Sequence, residues 1–175
     1  MKELILGGAR SGKSSLAEQR AKASGLSLIY LATGQAGDRE MAERIVHHQQ
    51  RRGPEWQLVE EPRLLAERLQ QYARADTCIL VDCLTLWLSN CLFADEQGSE
   101  WDRQKQALLE VLPNLPGQII LVGNETGMGV VPMGEISRRF VDENGWLHQA
   151  LASQCQRVTL TVAGLPHILK DGDAE

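Results

Sequence analysis

The chain has 175 residues, of which 43% are apolar and 5% aromatic, enough for one soluble globular domain with a sizeable core and too few for two full domains. Its 18 Lys and Arg stand against 23 Asp and Glu, a net charge of −5. That balance lacks the basic excess that attraction to polyphosphate backbones needs, so no nucleic-acid partner is expected. Cys78, Cys83, Cys91 and Cys155 form no C-x-x-C pair and have no histidine at zinc-ligand spacing, so they read as small hydrophobes in a reduced compartment. The first apolar run, Leu4-Ile5-Leu6, ends at Gly7, too short for a signal-peptide core. No stretch approaches a membrane span, and a cytoplasmic protein is expected.

In chain order, short apolar runs alternate with longer amphipathic ones, the pattern of an α/β fold with a mainly parallel sheet. Strands are predicted at residues 4–6, 26–32, 78–81, 118–122 and 158–162, with a further short one at 56–59. Most are apolar at consecutive positions, which suits strands covered by helices on both faces. Helices are predicted at 13–24, 38–52, 63–74, 84–93, 101–112 and 134–154, the last open to interruption at Gly145. Residues 94–100 read as a surface loop. With no internal repeat and no low-complexity tract, residues 1–175 are read as one domain.

Gly7-Gly8-Ala9-Arg10-Ser11-Gly12-Lys13-Ser14 matches G-x-x-x-x-G-K-[ST], directly after an apolar strand and at the start of a helix. Glycines let the backbone turn several N–H groups onto phosphates, and the helix N-terminus adds its positive dipole end. Lys13 is then expected to reach the β- and γ-phosphates, and the Ser14 hydroxyl to bind Mg²⁺. Ligands of parallel sheets bind outside the carboxyl ends of the strands. There Ile79-Leu80-Val81-Asp82 ends a strand in a carboxylate, placed either beside Mg²⁺ or as the cap of the next helix. Ala32, Thr33 and Gly34 close another strand, where Thr33 and Gly34 offer hydroxyl and backbone donors.

The 38–52 helix carries paired histidines. At about 100° per residue, Met41, Ile45 and His48 share one face, whereas His47 lies with Glu40, Glu43, Arg44 and Arg51 on the polar side. A neutral imidazole among arginines suits attack on phosphorus, although two histidines on a charged helix are also common surface residues. His148 and His167 show no comparable setting. Asn124-Glu125-Thr126-Gly127-Met128-Gly129 follows the 118–122 strand and reads as an active-site loop, with Glu125 a group to orient a substrate hydroxyl or a metal-bound water. Trp87, Trp101 and Trp146 are expected in the core rather than on a binding face.

These segments occur together in one known family. The 7–14 loop, Ala32-Thr33, Glu40-Met41-Ala42-Glu43-Arg44-Ile45-Val46-His47-His48 and Asn124-Glu125-Thr126-Gly127-Met128-Gly129-Val130-Val131-Pro132 follow the order seen in bifunctional adenosylcobinamide kinase/adenosylcobinamide-phosphate guanylyltransferases, and the chain resembles them over nearly its whole length. The resemblance implies a RecA-like phosphate-loop domain that phosphorylates the aminopropanol hydroxyl of adenosylcobinamide with ATP or GTP. It then implies GMP transfer from GTP to adenosylcobinamide phosphate through a guanylyl-histidine at His47, in a homotrimer. It further implies guanine-nucleotide contacts from Gly7, Gly8, Ala9, Arg10, Ser11, Gly12, Lys13, Ser14, Ala32, Thr33, Gly34, His48, Gln49, Gln50, Arg51, Glu60 and Asp82. Glu61 follows Glu60, so either carboxylate is open as the one facing the base, and Asp82 stands where relatives can have Glu. Two other readings compete: a monofunctional phosphate-loop kinase of a small alcohol, and a nucleotide-dependent switch module that catalyses little.

Overall fold

The computed structural model describes residues 1–34, 53–95 and 98–172. The predicted 38–52 helix, with His47, His48, Gln49, Gln50 and Arg51, lies outside the described residues. Seven strands form one sheet in the order β3-β2-β4-β5-β1-β6-β7: β1 Lys2–Gly7, β2 Ser27–Ala32, β3 Trp56–Glu60, β4 Thr77–Asp82, β5 Gln118–Asn124, β6 Arg157–Val162 and β7 Leu165–Lys170. All neighbouring pairs are parallel except β6 and β7. The described helices are α1 Lys13–Ala23, α2 Leu65–Tyr72, α3 Leu84–Leu92, α4 Ser99–Val111, continued by a 3₁₀ turn at Leu112–Asn114, and α5 Glu135–Gln154.

The consecutive apolar residues of the strands are explained by two cores, one on each face of the sheet. Leu4, Leu6, Ile29, Leu31, Ile79, Val81, Ile119 and Leu121 pack with α2 to α5, while Ile5, Tyr30, Leu80, Ile120 and Val122 pack with Ala17 and Ala21 of α1. Trp87 and Trp101 are fully buried with ring centroids 5.1 Å apart, as expected of core residues. Trp146 departs from that expectation: it lies on the outer face of α5 and is 58% exposed. Gly145 does not interrupt α5, whose 20 residues run unbroken. All four cysteines are buried and free, and burial pushes the Cys83 thiol up to about 11 and that of Cys155 up to about 12. Thiols so rarely ionised act as packing groups.

Strand β7 is the element that the sequence pattern does not reveal. Pro166 within it argues against a strand, yet at a sheet edge the missing N–H is tolerated. A two-residue turn joins it to β6, with Ala163 at φ 52° and Gly164 at φ 78°, the left-handed pair that a tight hairpin needs.

Candidate active site

Strand register gathers those predicted site residues that are described at the carboxyl ends of the parallel strands. Ala32 pairs with both Glu60 and Asp82, Asp82 with Val122, and Gly7 with both Asn124 and Thr161. Because β5 lies between β1 and β4, its carboxyl end falls between the phosphate loop and Asp82.

The phosphate loop is held from two sides. Ser11 donates its N–H to Gly8 O at 3.3 Å, and the β6–β7 turn reaches over to donate Gly164 N–H to Ser11 O at 2.8 Å. Gly7 has no room for a side chain, since a Cβ there would lie 2.7 Å from Thr161 O. Gly12 has φ 95°, and its Cβ would lie 3.0 Å from Gly164 Cα. α1 starts immediately after Gly12 with no side-chain cap and no acidic residue in its first turn. Its first N–H groups are therefore left for an anion, and its dipole is not offset by a carboxylate. Lys13 Nζ donates to Gly8 O at 3.1 Å. Burial pushes the Lys13 amine below the usual lysine range, and the charge of nearby Asp82 opposes that shift.

Asp82 is oriented by a residue that sequence reasoning passes over: Tyr30 donates its hydroxyl to Asp82 Oδ2 at 2.7 Å. Thr33 is fully buried, and its hydroxyl donates to Cys83 O at 2.7 Å and accepts the Cys83 N–H at 2.9 Å. The Asp82–Cys83 peptide that it clasps is cis. The Thr33 side chain is thus committed to holding the end of β4, a correction to its expected use as a free hydroxyl donor. Ala32 O accepts Glu61 N–H at 2.9 Å, and Thr33 O accepts the Asn90 side-chain amide at 2.8 Å. These bonds fix the β2 end against β3 and α3. Gly34, half-buried, continues from that end.

Glu60 and Glu61 differ in their partners among the described residues. Glu61 is buried, accepts the N–H groups of Arg63 and Leu64 at 3.0 and 2.9 Å, and pairs with Arg68 at 3.0 Å. Those bonds, with Arg68, hold its carboxyl below the usual range against the opposing effect of burial. Glu61 organises the start of α2. Glu60 is exposed at the end of β3 and makes no side-chain hydrogen bond among the described residues.

At the end of β5, Glu125 N–H donates to Gly7 O at 3.1 Å, tying this loop to the phosphate loop. Behind it, α5 buries Asn144 and His148. Asn144 donates to Asn124 O and Thr126 Oγ1, each at 3.0 Å. His148 is 6% exposed and sits 3.8 Å from Glu125 Oε2 through Nδ1. The sequence does carry a signal for these two: Asn144, Leu147, His148 and Leu151 share the i, i+3, i+4, i+7 stripe of α5, so two polar groups stand on its buried face.

A hydroxyl and a carboxylate, Ser14 and Asp82, suit Mg²⁺, which favours a few hard oxygen ligands beside water and phosphate oxygens. Ser14 makes no side-chain hydrogen bond among the described residues, and only Oδ2 of Asp82 is taken by Tyr30. Both groups therefore have oxygen to offer, and the donor set fits the ion. Among the described residues no helix is long and apolar enough to cross a membrane.

Two solved structures share the fold at low identity: an ATPase domain (TM-score 0.55, 12% identity, 99% of this chain and 78% of that one) and the RadB recombinase (TM-score 0.50, 18% identity, 91% and 73%). Both are consistent with a RecA-like phosphate-loop sheet. Among curated proteins, the chain is 61% identical to the bifunctional adenosylcobalamin biosynthesis protein CobP of Pseudomonas aeruginosa over 97% of its length and 98% of the relative's. It is 37% identical to the bifunctional adenosylcobalamin biosynthesis protein CobU of Escherichia coli, over 93% and 96%. The family described as cobinamide kinase/cobinamide phosphate guanyltransferase matches residues 3–169. The chain belongs to the cobinamide kinase/cobinamide phosphate guanyltransferase family, whose enzymes act in cobalamin biosynthesis.

Proposed function

We propose that this enzyme phosphorylates the aminopropanol hydroxyl of adenosylcobinamide and then converts adenosylcobinamide phosphate to adenosylcobinamide-GDP. The observation that carries the reading is the gathering of the uncapped α1 N-terminus, Lys13, Asp82 and Glu125 at the carboxyl ends of β1, β4 and β5. ATP or GTP is the phosphoryl donor. In the kinase step the loop N–H groups and Lys13 hold the β- and γ-phosphates, and Lys13, half-buried and partly desolvated, bears on phosphate charge more strongly than an exposed amine. Mg²⁺, held by Ser14 and Asp82, supplies further neutralisation of phosphate charge when bound. Tyr30 keeps the Asp82 carboxylate facing the loop.

In the guanylyl step His47 attacks the α-phosphorus of GTP. The N–P bond forms, the bond to the β-phosphate oxygen breaks, and pyrophosphate leaves. The substrate phosphate then displaces His47 and takes the GMP. The guanine-nucleotide contacts proposed are those of the 7–14 loop, Ala32, Thr33 through its backbone, Gly34, His48, Gln49, Gln50, Arg51, Glu60 and Asp82. Glu60 accepts from the base N1–H and 2-amino group.

The protein acts as a cytoplasmic homotrimer. Subunit contact is supported by two exposed apolar surfaces: Leu165, Ile168 and Leu169 along edge strand β7, and Met128, Val130, Val131 and Met133 after β5. The test of the reading is incubation with Mg²⁺, adenosylcobinamide and γ-labelled ATP or GTP, followed by GTP addition and mass analysis of the corrinoid. Label on the corrinoid and then a mass gain of one GMP are expected. A corrinoid that gains neither, with nucleotide bound, contradicts it.

A further inference from the structure

The pair Glu125 and His148 has a geometry that binding of nucleotide alone does not explain. Glu125 Oε1 accepts the Gly127 N–H at 2.6 Å, and Oε2 faces His148 Nδ1 at 3.8 Å. The carboxylate remains 21% exposed, so one edge is still open to the crevice. The imidazole is almost wholly enclosed, and neither ring nitrogen has a hydrogen-bond partner. A buried polar ring left unpaired is unfavourable, and such groups gather where function requires them.

Its place is built into the fold rather than incidental. A Cβ on Gly123 would lie 2.9 Å from His148 Nε2, so a side chain there, near the end of β5, would displace the ring. Burial pushes His148 below the usual histidine range, opposed only in part by Glu125, which leaves a neutral ring able to donate one N–H. Asp82 is engaged by Tyr30 and lies beside Lys13, on the side of the crevice that handles phosphate charge. Among the described residues this leaves Glu125 as the carboxylate at the ends of β1, β4 and β5 that neither an aromatic hydroxyl nor a cation claims.

We propose that Glu125 accepts the proton of the acceptor hydroxyl in the kinase step, and that His148 is the positioning residue that holds its carboxylate toward the phosphate loop. As the acceptor O–P bond forms, the bond between the γ-phosphorus and the bridging oxygen breaks. The hydroxyl proton passes to Glu125, and the nucleoside diphosphate leaves with the electron pair. When the substrate is bound, a small shift that closes the 3.8 Å gap lets Nδ1–H of His148 donate to Oε2 of Glu125 and orient its carboxylate toward the alcohol. This inference rests on the kinase activity proposed above.

The test measures phosphoryl transfer to adenosylcobinamide by the full chain, alongside nucleotide affinity and thermal unfolding. Glu125→Gln should lower kcat by about 10²–10⁴-fold, the range for loss of a positioned proton acceptor, with nucleotide Kd changed by less than about threefold. Glu125→Asp, one methylene shorter with its charge kept, should fall at least about tenfold, and it stands in if the Gln variant does not fold. His148→Leu should lower kcat by about ten- to a hundredfold, and His148→Asn, whose side-chain amide can take the place of Nδ1–H, should recover most of that loss. The inference is overturned if the Glu125 variants keep kcat within about threefold of the parent. It is equally overturned if kcat and nucleotide affinity fall together, or if His148→Asn is as impaired as His148→Leu. A parent enzyme that binds nucleotide and transfers nothing to adenosylcobinamide overturns the kinase reading itself, a separate failure visible before any variant is made.

Discussion

The clasp of Thr33 on the Cys83 backbone gives the most direct test of how the site is braced. Thr33→Val keeps the shape of the side chain and removes the hydroxyl that donates to Cys83 O and accepts from Cys83 N–H, at a position with 0% exposure. The buried Cys83 N–H then loses its partner, at about 1–3 kcal/mol, while Cys83 O keeps the Trp87 N–H at 3.2 Å. At about 2.1 cal/mol/K per residue, a chain of 175 residues has an unfolding entropy near ~0.37 kcal/mol/K. The expected fall in Tm is therefore about 3–8 °C. Thr33→Ser keeps both hydrogen bonds and loses only a methyl group, about 1 kcal/mol. Thermal and urea unfolding of the two variants, with kinase turnover measured alongside, separate the two losses. Because Asp82 precedes the clasped residue, turnover should fall in Thr33→Val well below that of Thr33→Ser. Equal stability and equal turnover in the two variants would show that the hydroxyl does not brace β4.

Three further outcomes follow from individual contacts. Glu3 on β1 is fully buried and ion-paired to Arg20 of α1, which also donates to Thr159 at 3.0 Å; Glu3→Leu should destabilise by about 3–5 kcal/mol in urea unfolding, and Glu3→Leu/Arg20→Leu should recover much of it. Gly12→Ala, at φ 95° and against Gly164, should abolish nucleotide binding in calorimetry, whereas Gly145→Ala, mid-helix with nothing within 4 Å of its Cβ, should stabilise by about 0.5–1 kcal/mol. Because burial lowers the His148 pKa from its ordinary 6.5, the unfolded chain binds the proton more readily. Stability from this group is then present above pH 6.5 and lost as pH falls through the window below it, so His148→Leu should flatten the pH dependence of urea unfolding there; an unchanged slope contradicts the assignment.

Much of this is legible in the residues because the signals are local. The 7–14 loop follows an apolar strand, and the consecutive apolar positions of β1, β4 and β5 announce a sheet covered on both faces. The chain does not announce which side chains are spent on structure. Glu60 and Glu61 are equivalent in sequence, and only the Arg63 and Leu64 N–H groups and Arg68 distinguish them. Thr33 reads as a ligand donor until Cys83, fifty residues away, takes both functions of its hydroxyl. Tyr30 is hidden for the same reason, its partner being set by sheet register, whereas His148 shows on the buried stripe of α5 and only its Glu125 neighbour is set by the packing of that helix. Strand β7 escapes the pattern because Pro166 argues against a strand wherever the edge position is not known.

The central claim is a covalent guanylyl-histidine at His47, and labelling tests it directly. The purified protein is incubated with Mg²⁺ and either α- or γ-labelled GTP, denatured, and treated with acid or alkali, with His47→Ala in parallel. Retained label from the α-phosphate alone, lost in acid, stable in alkali and absent in His47→Ala, is the predicted result. A folded, nucleotide-binding protein that retains no label, or a His47→Ala variant that retains it as fully as the parent, would contradict the account.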